Sequence, residues 1–570
     1  MRISRYNNSS ADRSTFNSWD IIVAGLIIIL FWLSAWSIGQ MGLPLDFVQH
    51  HPISLDVSYL PGYTFRSIVR MLIGLVLSLL FTFCFGTWAA RSARAERIII
   101  PLIDICQSVP ILGFLTLFSW GLLMLFPGSI FGAECAAIFA IFTSQVWNMT
   151  FSFYQSLKNI PKEYLELCAI YRISPWKKFF AVDIPYALPS LAMNMMLSLS
   201  ASWFFVVASE VINFQIYSIK LPGIGSYIQQ ADDVGDVTAI AYALLAMLIA
   251  IILCNQLIFN PLLHWIDRYH NQSGQVTKSW VVNLFAKTKW IKSILNFINQ
   301  FLSIKATIKP EHPHKTIRPK VIQKAWLDQL WDVIETILII GIGSIILCGL
   351  FYYTSLNECI TVIYYGFLTF LRIVVMLSLA IAVWVPVGVW IGLNSKVSKM
   401  ILPVIQILAA FPVNLVYPLM TLIILRYHLN PEIWVSPLII LGTQWYILFN
   451  VIAGTMSIPK ELRMATRSLH LKSWSKWRSL ILPAIAPDLL TGVITAAGGA
   501  WNASIVAEYI TWNGQTIIAT GIGAYITDAT YHDAYQLQAL GIIIMCLYVI
   551  IINRFIWAPL YQLTQNRFSL

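Results

Sequence analysis

The 570-residue sequence predicts an all-α polytopic membrane protein of about twelve transmembrane helices, built as two parallel six-helix repeats. Three observations carry that expectation. The chain is 58% hydrophobic and 11% charged with a mean hydropathy of +0.71, whereas soluble domains carry about a quarter charged residues. Apolar runs approaching the roughly 20 residues that a bilayer core demands lie near 21–38, 67–90, 98–121, 129–151, 188–212 and 238–262. A second set lies near 331–353, 366–393, 400–425, 432–454, 487–510 and 535–558. Finally, the stretch Ile160–Pro189 recurs as Ile458–Pro487.

The recurrence has a fixed offset of 298 residues. It pairs Ile160 with Ile458, Pro161 with Pro459, Lys162 with Lys460, Glu163 with Glu461, Trp176 with Trp474 and Pro189 with Pro487. It continues through Trp203/Trp501, Glu210/Glu508, Gly223/Gly521, Gly225/Gly523 and Pro261/Pro559. Upstream, Arg70/Arg372, Gly86/Gly388 and Pro110/Pro412 match at an offset of 302, so about four residues differ between Pro110 and Trp147. Such self-similarity marks an internal duplication.

In chain order, residues 1–20 read as a polar cytoplasmic start. The first apolar run is too long for a signal-peptide core and lacks a small-residue cleavage site, so it reads as a retained helix opening a first repeat at 21–265. The loop 39–64 has no Lys or Arg, while basic residues crowd into 91–97, 157–180, 263–325 and 455–480. That bias predicts cytoplasmic N- and C-termini. The net charge of +11 then reports topology and contact with the lipid bilayer, not nucleic acid. His50-His51 reads as part of a solvated loop. Eight cysteines without Cys-x-x-Cys spacing, and no catalytic or metal-ligand cluster recurring in both halves, predict neither a disulfide framework, a metal site nor an enzyme.

Arg70 and Arg372 open the second helix of each repeat at its outer end. Such an arginine either snorkels to the interface or draws an anionic solute to the outer mouth. Between the repeats, 266–325 comprises a predicted amphipathic surface helix over Ser279–Ile304 and a basic linker broken by Pro310, Pro313 and Pro319. The second repeat is 326–570. With an even number of spans per repeat, a pseudo-twofold axis runs along the membrane normal and both copies of the 160–189 loop face the cytoplasm.

Each copy opens with Ile-Pro-Lys-Glu, where proline suits the first helical turn and the acidic residue complements the positive end of the helix dipole. Leu165, Ala169 and Ile173, and Leu462, Ala465 and Leu469, then recur at helical spacing. Each is a small amphipathic helix with nothing in its own loop to pack on. The pair predicts a docking surface for a twofold soluble partner. Its candidate residues are Glu163, Glu166, Ala169 and Arg172, with Glu461, Ala465, Arg467 and His470. Trp203 and Trp501 precede Glu210 and Glu508 by seven residues, two turns nearer the outer side. Charged residues there face the bundle interior, either bonded to a neighbouring helix or to the loop near Gly223 or Gly521, or gating the outer mouth. Asn502 and Ser504 are candidate hydrogen-bonding groups for an oxyanion.

These loops resemble the Glu-Ala-Ala loop of the membrane subunits of binding-protein-dependent ABC importers. The sequence Gly499-Ala-Trp501-Asn502-Ala-Ser504-Ile-Val-Ala-Glu508-Tyr looks like the nitrate, sulfonate, taurine and bicarbonate branch. The resemblance covers roughly 65–265 and 365–562. It departs at Glu166-Leu167-Cys168 and Met464-Ala465-Thr466, and Arg172 and His470 stand where the family has a loop glycine. It implies the type I ABC importer permease architecture, with each loop as a coupling helix. The implied partners are two copies of a cytoplasmic ABC ATPase subunit, which binds ATP and Mg, and a periplasmic solute-binding protein. That protein would deliver a small-molecule substrate, an anion, to a pathway in the bacterial cytoplasmic membrane. No Gly-x-x-x-x-Gly-Lys-Ser/Thr phosphate loop occurs, so ATP hydrolysis is expected in a separate polypeptide. The alternative, a secondary transporter driven by an ion gradient, needs repeated mid-membrane ionisable residues; Asp104 has Gln406 as its counterpart.

Overall fold

The computed structural model describes residues 18–261, 341 and 355–564, apart from 43, 45–52, 109–110, 172, 215–216, 260, 471–472, 513–514, 533, 558 and 561–562. The expected Ser279–Ile304 helix, the basic linker, the 331–353 span, Arg172, His50-His51 and nearly all of the 1–20 segment lie outside the described residues.

Helices dominate, as the composition requires. Among the described residues, six are long and apolar enough to cross a membrane: Val57–Arg91, Pro175–Ser209, Val237–Ile258, Leu356–Leu393, Trp474–Ala507 and Tyr535–Trp557. Two further pairs pass the same test but are bent, by 72° between Lys396–Ala410 and Val413–Arg426 and by 42° between Pro431–Leu441 and Gln444–Ser457. Large side chains such as Leu80, Leu245, Leu379 and Val383 are exposed on these helices. In a bilayer that outer surface faces lipid, where backbone groups must be satisfied within each helix. The all-α polytopic class of about twelve helices holds.

The duplication extends to element boundaries. Helix Lys162–Ile170 recurs as Lys460–Ser468, Ile184–Ser209 as Leu482–Ala507, and Val237–Cys254 as Tyr535–Ile552, each 298 residues on. Even the π-helical turns Phe179–Asp183 and Asn255–Phe259 return at Trp477–Ile481 and Asn553–Trp557. The four-residue difference falls in the turn after Leu125, since Phe131–Lys158 already follows the later offset. One feature departs from an all-α chain. After Glu210 and Glu508 the chain forms two short antiparallel hairpins, Val211–Phe214 with Tyr217–Lys220 and Tyr509–Trp512 with Gln515–Ile518. Extended backbone there satisfies its N–H and C=O groups by pairing with itself.

The halves exchange packing. Helix Ile111–Leu125 of the first half packs on Leu482–Ala507, Ile522–Tyr531 and Tyr535–Ile552 of the second, while Ser395–Ala410 packs on Ile184–Ser209 and Val237–Cys254 of the first. Ala410 and Leu415 accordingly belong to the first half's apolar core, and Leu112 packs against that of the second. Each exchange is pinned at the helix break. Asn502 Oδ1 accepts from Ile111 N at 2.8 Å, and at the related place Asn414 Nδ2 donates to Phe204 O at 3.4 Å.

Candidate functional site

At one end of each half an arginine joins three segments of chain, fully buried in the first half and 11% exposed in the second. Arg70 lies on Leu60–Phe81 and is 1% exposed. Its Nε and Nη2 donate to Glu134 at 2.6 and 2.7 Å, Nη1 donates to Glu210 at 2.7 Å, and Nη2 also reaches Pro222 O at 3.0 Å. Glu210 in turn accepts from Gly225 N at 2.6 Å, at the start of helix Ile224–Val234. A carboxylate there meets the orphan amides and the positive end of the dipole. Ser67 closes the cluster, donating to Glu210 and accepting from Ile224 N at 3.1 Å. The second half repeats the arginine, both glutamates, the hydroxyl and the glycine amide. Arg372 pairs with Glu432 and with Glu508, at 3.0 Å for the latter, Thr369 donates to Glu508 at 2.8 Å, and Gly523 N reaches Glu508 at 2.8 Å.

This geometry corrects the expectation for Arg70 and Arg372. Neither snorkels nor offers its charge to a solute at the outer mouth, because the cost of burying a guanidinium is offset only by full pairing. Glu210 and Glu508 are fully buried. They are bonded to the neighbouring helix and to the Gly223 and Gly521 turns, and do not project as a gate. Trp203 and Trp501 are core residues, and Ser504 donates to Trp501 O of its own helix at 2.8 Å. Asn502 pins the helix break described above and lines a small cavity of about 60 Å³ with Phe204, Phe411, Tyr417 and Tyr446.

A larger cavity of about 220 Å³ lies between the halves beside the hairpins. Its walls come in duplicated pairs, including Val207/Ile505, Val211/Tyr509, Gln229/Thr527 and Asp232/Thr530. It therefore sits on the pseudo-twofold axis.

At the other end, the two repeated short helices project their apolar side chains. Tyr164, Leu167 and Ile170 of Lys162–Ile170, and Met464 and the following Leu469, are exposed, as are Trp176 and Trp474 at 71% and 74%. Glu163, Glu166, Ala169, Glu461, Ala465 and His470 are exposed with them. Arg467 lies on the second helix, and Arg172 falls outside the described residues. His470 adopts a φ of 48°, in the left-handed region that favours glycine. Its Nδ1 lies 2.9 Å from Ser468 O, a local hydrogen bond that helps it tolerate the position.

The model of one protein family matches this chain twice, over residues 82–268 and 384–558, more than half its length. The family is described as the inner membrane component of binding-protein-dependent transport systems. This chain belongs to it. Relatives of this inner membrane component include the bicarbonate transport system permease protein CmpB of Synechococcus elongatus, 28% identical over 31% of this chain and 61% of the relative. The glycine betaine/proline betaine permease protein ProW of Escherichia coli is 29% identical over 39% of this chain and 60% of that protein. The nitrate import permease protein NrtB of Synechocystis is 26% identical over 33% and 66%. The chain thus spans about three fifths of the length of most curated relatives it matches, and 32% of a further CmpB from Synechocystis.

Within this family member, sequence reasoning missed Glu134, Glu432, Ser67 and Thr369. A signal existed, since Glu134 and Glu432 obey the 298 offset and Ser67 and Thr369 the 302 offset. The glycines beside the clusters also gain a reason, being buried and not surface turns. A Cβ on Gly223 meets the Glu210 carboxylate at 2.3 Å, and one on Gly225 meets Val207 O at 2.3 Å. Gly225→Ala is therefore expected to lower the melting temperature sharply, because a backbone oxygen cannot yield. An unchanged melting curve would refute this close approach.

Proposed function

We propose that this chain is the permease component of an ATP-driven importer, forming the translocation pathway for a small solute delivered by a periplasmic solute-binding protein. The repeats 21–265 and 326–570 act as its two halves, joined through 266–325. Its short cytoplasmic helices dock two copies of a separate ABC ATPase subunit, which supplies the ATP and Mg site. The setting is a bacterial cytoplasmic membrane with both termini in the cytoplasm. What supports this most is one observation: two exposed short helices, 298 residues apart in sequence, each followed by an exposed tryptophan, Trp176 or Trp474, on related ends of the halves. Two equivalent mechanical inputs suit a change between inward- and outward-facing states.

For the solute, the bicarbonate and nitrate relatives favour a small anion. A second reading, a zwitterion with a positive group, is favoured by the axial cavity, whose walls contain a carboxyl and, among the described residues, no Lys or Arg, and matches the betaine relative. The test is affinity purification of the tagged chain from its native membrane. Recovery of an ATPase at about two copies per chain, lost when Glu163 and Glu461 are both reversed to Lys, is the expected result. Retention of no ATPase, with transport following a proton or sodium gradient, would favour the secondary transporter instead.

A further inference from the structure

The axial cavity contains a carboxyl that the fold does not use. Asp232, on helix Ile224–Val234, is 5% exposed, lines the cavity, and its Oδ1 has no hydrogen-bond partner among the described residues. Burying such an oxygen unpaired is costly, and helix formation does not require it, since the adjacent Asp236 caps the next helix by accepting from Thr238 and Ala239 N. The neighbouring Asp233 is engaged elsewhere, with Lys220 at 2.6 Å and Gln229 at 3.0 Å.

Among the described residues, the walls of the cavity offer Asp232 no Lys or Arg. The titratable groups on the cavity wall from the second half are Tyr417, Tyr509 and Tyr531. Tyr417 donates to Leu438 O at 3.3 Å, and Tyr509 and Tyr531 stack at 5.2 Å. On the same helix as Tyr531, Asp528 faces His532 at 3.5 Å. Behind Ile224–Val234, Arg70 is taken up by Glu134 and Glu210, and Arg372 by Glu432 and Glu508. Lys220 is held by Asp233 and Gln230.

We propose that the axial cavity is a solute-binding site for a positively charged group, an alkylated ammonium on a zwitterion, with the Asp232 carboxylate as its counter-ion. Coulomb attraction in a half-dry cavity favours such a group and opposes a bare inorganic anion. Tyrosine faces suit an alkylated ammonium by cation–π attraction. The inference rests on the permease reading for the cavity's role in a pathway and decides between the two solute classes.

Desolvation by burial, with the Asp233 charge adding to it, pushes the Asp232 carboxyl up to about 7. The group is neutral below that value and charged above it. Ammonium binding should therefore tighten as pH rises, by about tenfold between pH 6 and pH 8.

The experiment is equilibrium binding of labelled glycine betaine to the full-length chain in lipid nanodiscs, with tetramethylammonium, nitrate and bicarbonate as competitors. The expected result is saturable binding displaced by tetramethylammonium and not by nitrate or bicarbonate, about tenfold tighter at pH 8 than at pH 6. Asp232→Asn should weaken it at least tenfold and flatten the pH profile, and Asp232→Glu should keep the rise with pH. No saturable betaine binding to the unaltered chain at pH 8, or nitrate binding at least as tight, would overturn the assignment. So would a folded Asp232→Asn variant that binds like the parent. Should that variant not fold, the pH profiles of the parent and Asp232→Glu still decide. Recovery of the ATPase is measured separately, so failure of this site leaves the permease reading standing and failure of ATPase recovery does not.

Discussion

Arg70→Leu is expected to lower the melting temperature of the purified chain more than any other single substitution in the two arginine–glutamate clusters. The change leaves Glu134 and Glu210, 3% and 0% exposed, facing each other without a cation. Breaking a buried pair in this way costs about 3–5 kcal/mol, because the orphaned carboxylates must either ionise in a dry site or take up protons. Arg70→Lys should recover only part of the loss, since one ammonium cannot reproduce a fork that grips Glu134 at two points and Glu210 at a third. Arg372→Leu should cost less than half as much. Its partner Glu432 is 43% exposed and water can solvate it once the arginine is gone. Thermal unfolding of the three variants in one detergent tests this order, and equal effects in the two halves would contradict it.

Breaking both short exposed helices, with Ala169→Pro and Arg467→Pro together, should reduce solute-stimulated ATP hydrolysis in reconstituted vesicles to its unstimulated level. Interior proline costs a helix about 3 kcal/mol or more, and nine-residue helices such as Lys162–Ile170 and Lys460–Ser468 have little else to hold them. Among the side chains of Lys162–Ile170, only Cys168 is buried, so the melting temperature should barely move. Normal stimulated hydrolysis in the double variant would remove the docking assignment.

Much of this was readable in the residues, because duplication turns a sequence into its own comparison. The two offsets singled out Arg70/Arg372, Glu210/Glu508 and the paired glycines, which are four corners of each cluster. It did not tell which way the arginines point. An arginine flanked by apolar residues has the same pattern whether it leans to the interface or turns inward; only the fold brings Glu134, 64 residues away, to its guanidinium. From the sequence Asn502 is a candidate hydrogen-bonding group for an oxyanion, because its amide can both donate and accept. Its partner is a backbone N–H at residue 111, across 391 residues of chain, which no local pattern announces. Asp232 lacked notice for a different reason. Its counterpart is Thr530, so a search for repeated residues passes over it.

That mismatch has a consequence for how a fused protein differs from a pair of identical subunits. Two copies of one chain must place every group beside their common axis twice, so charges there come in even numbers and a solute meets walls that a half-turn makes identical. One continuous chain is free of that restriction. With Asp232 on one wall and Thr530 on the other, a dipolar molecule entering along the axis is offered a preferred heading, positive end toward the first half. Covalent joining of the halves thus makes possible an odd count of charge, and with it a pathway able to distinguish the two ends of its cargo.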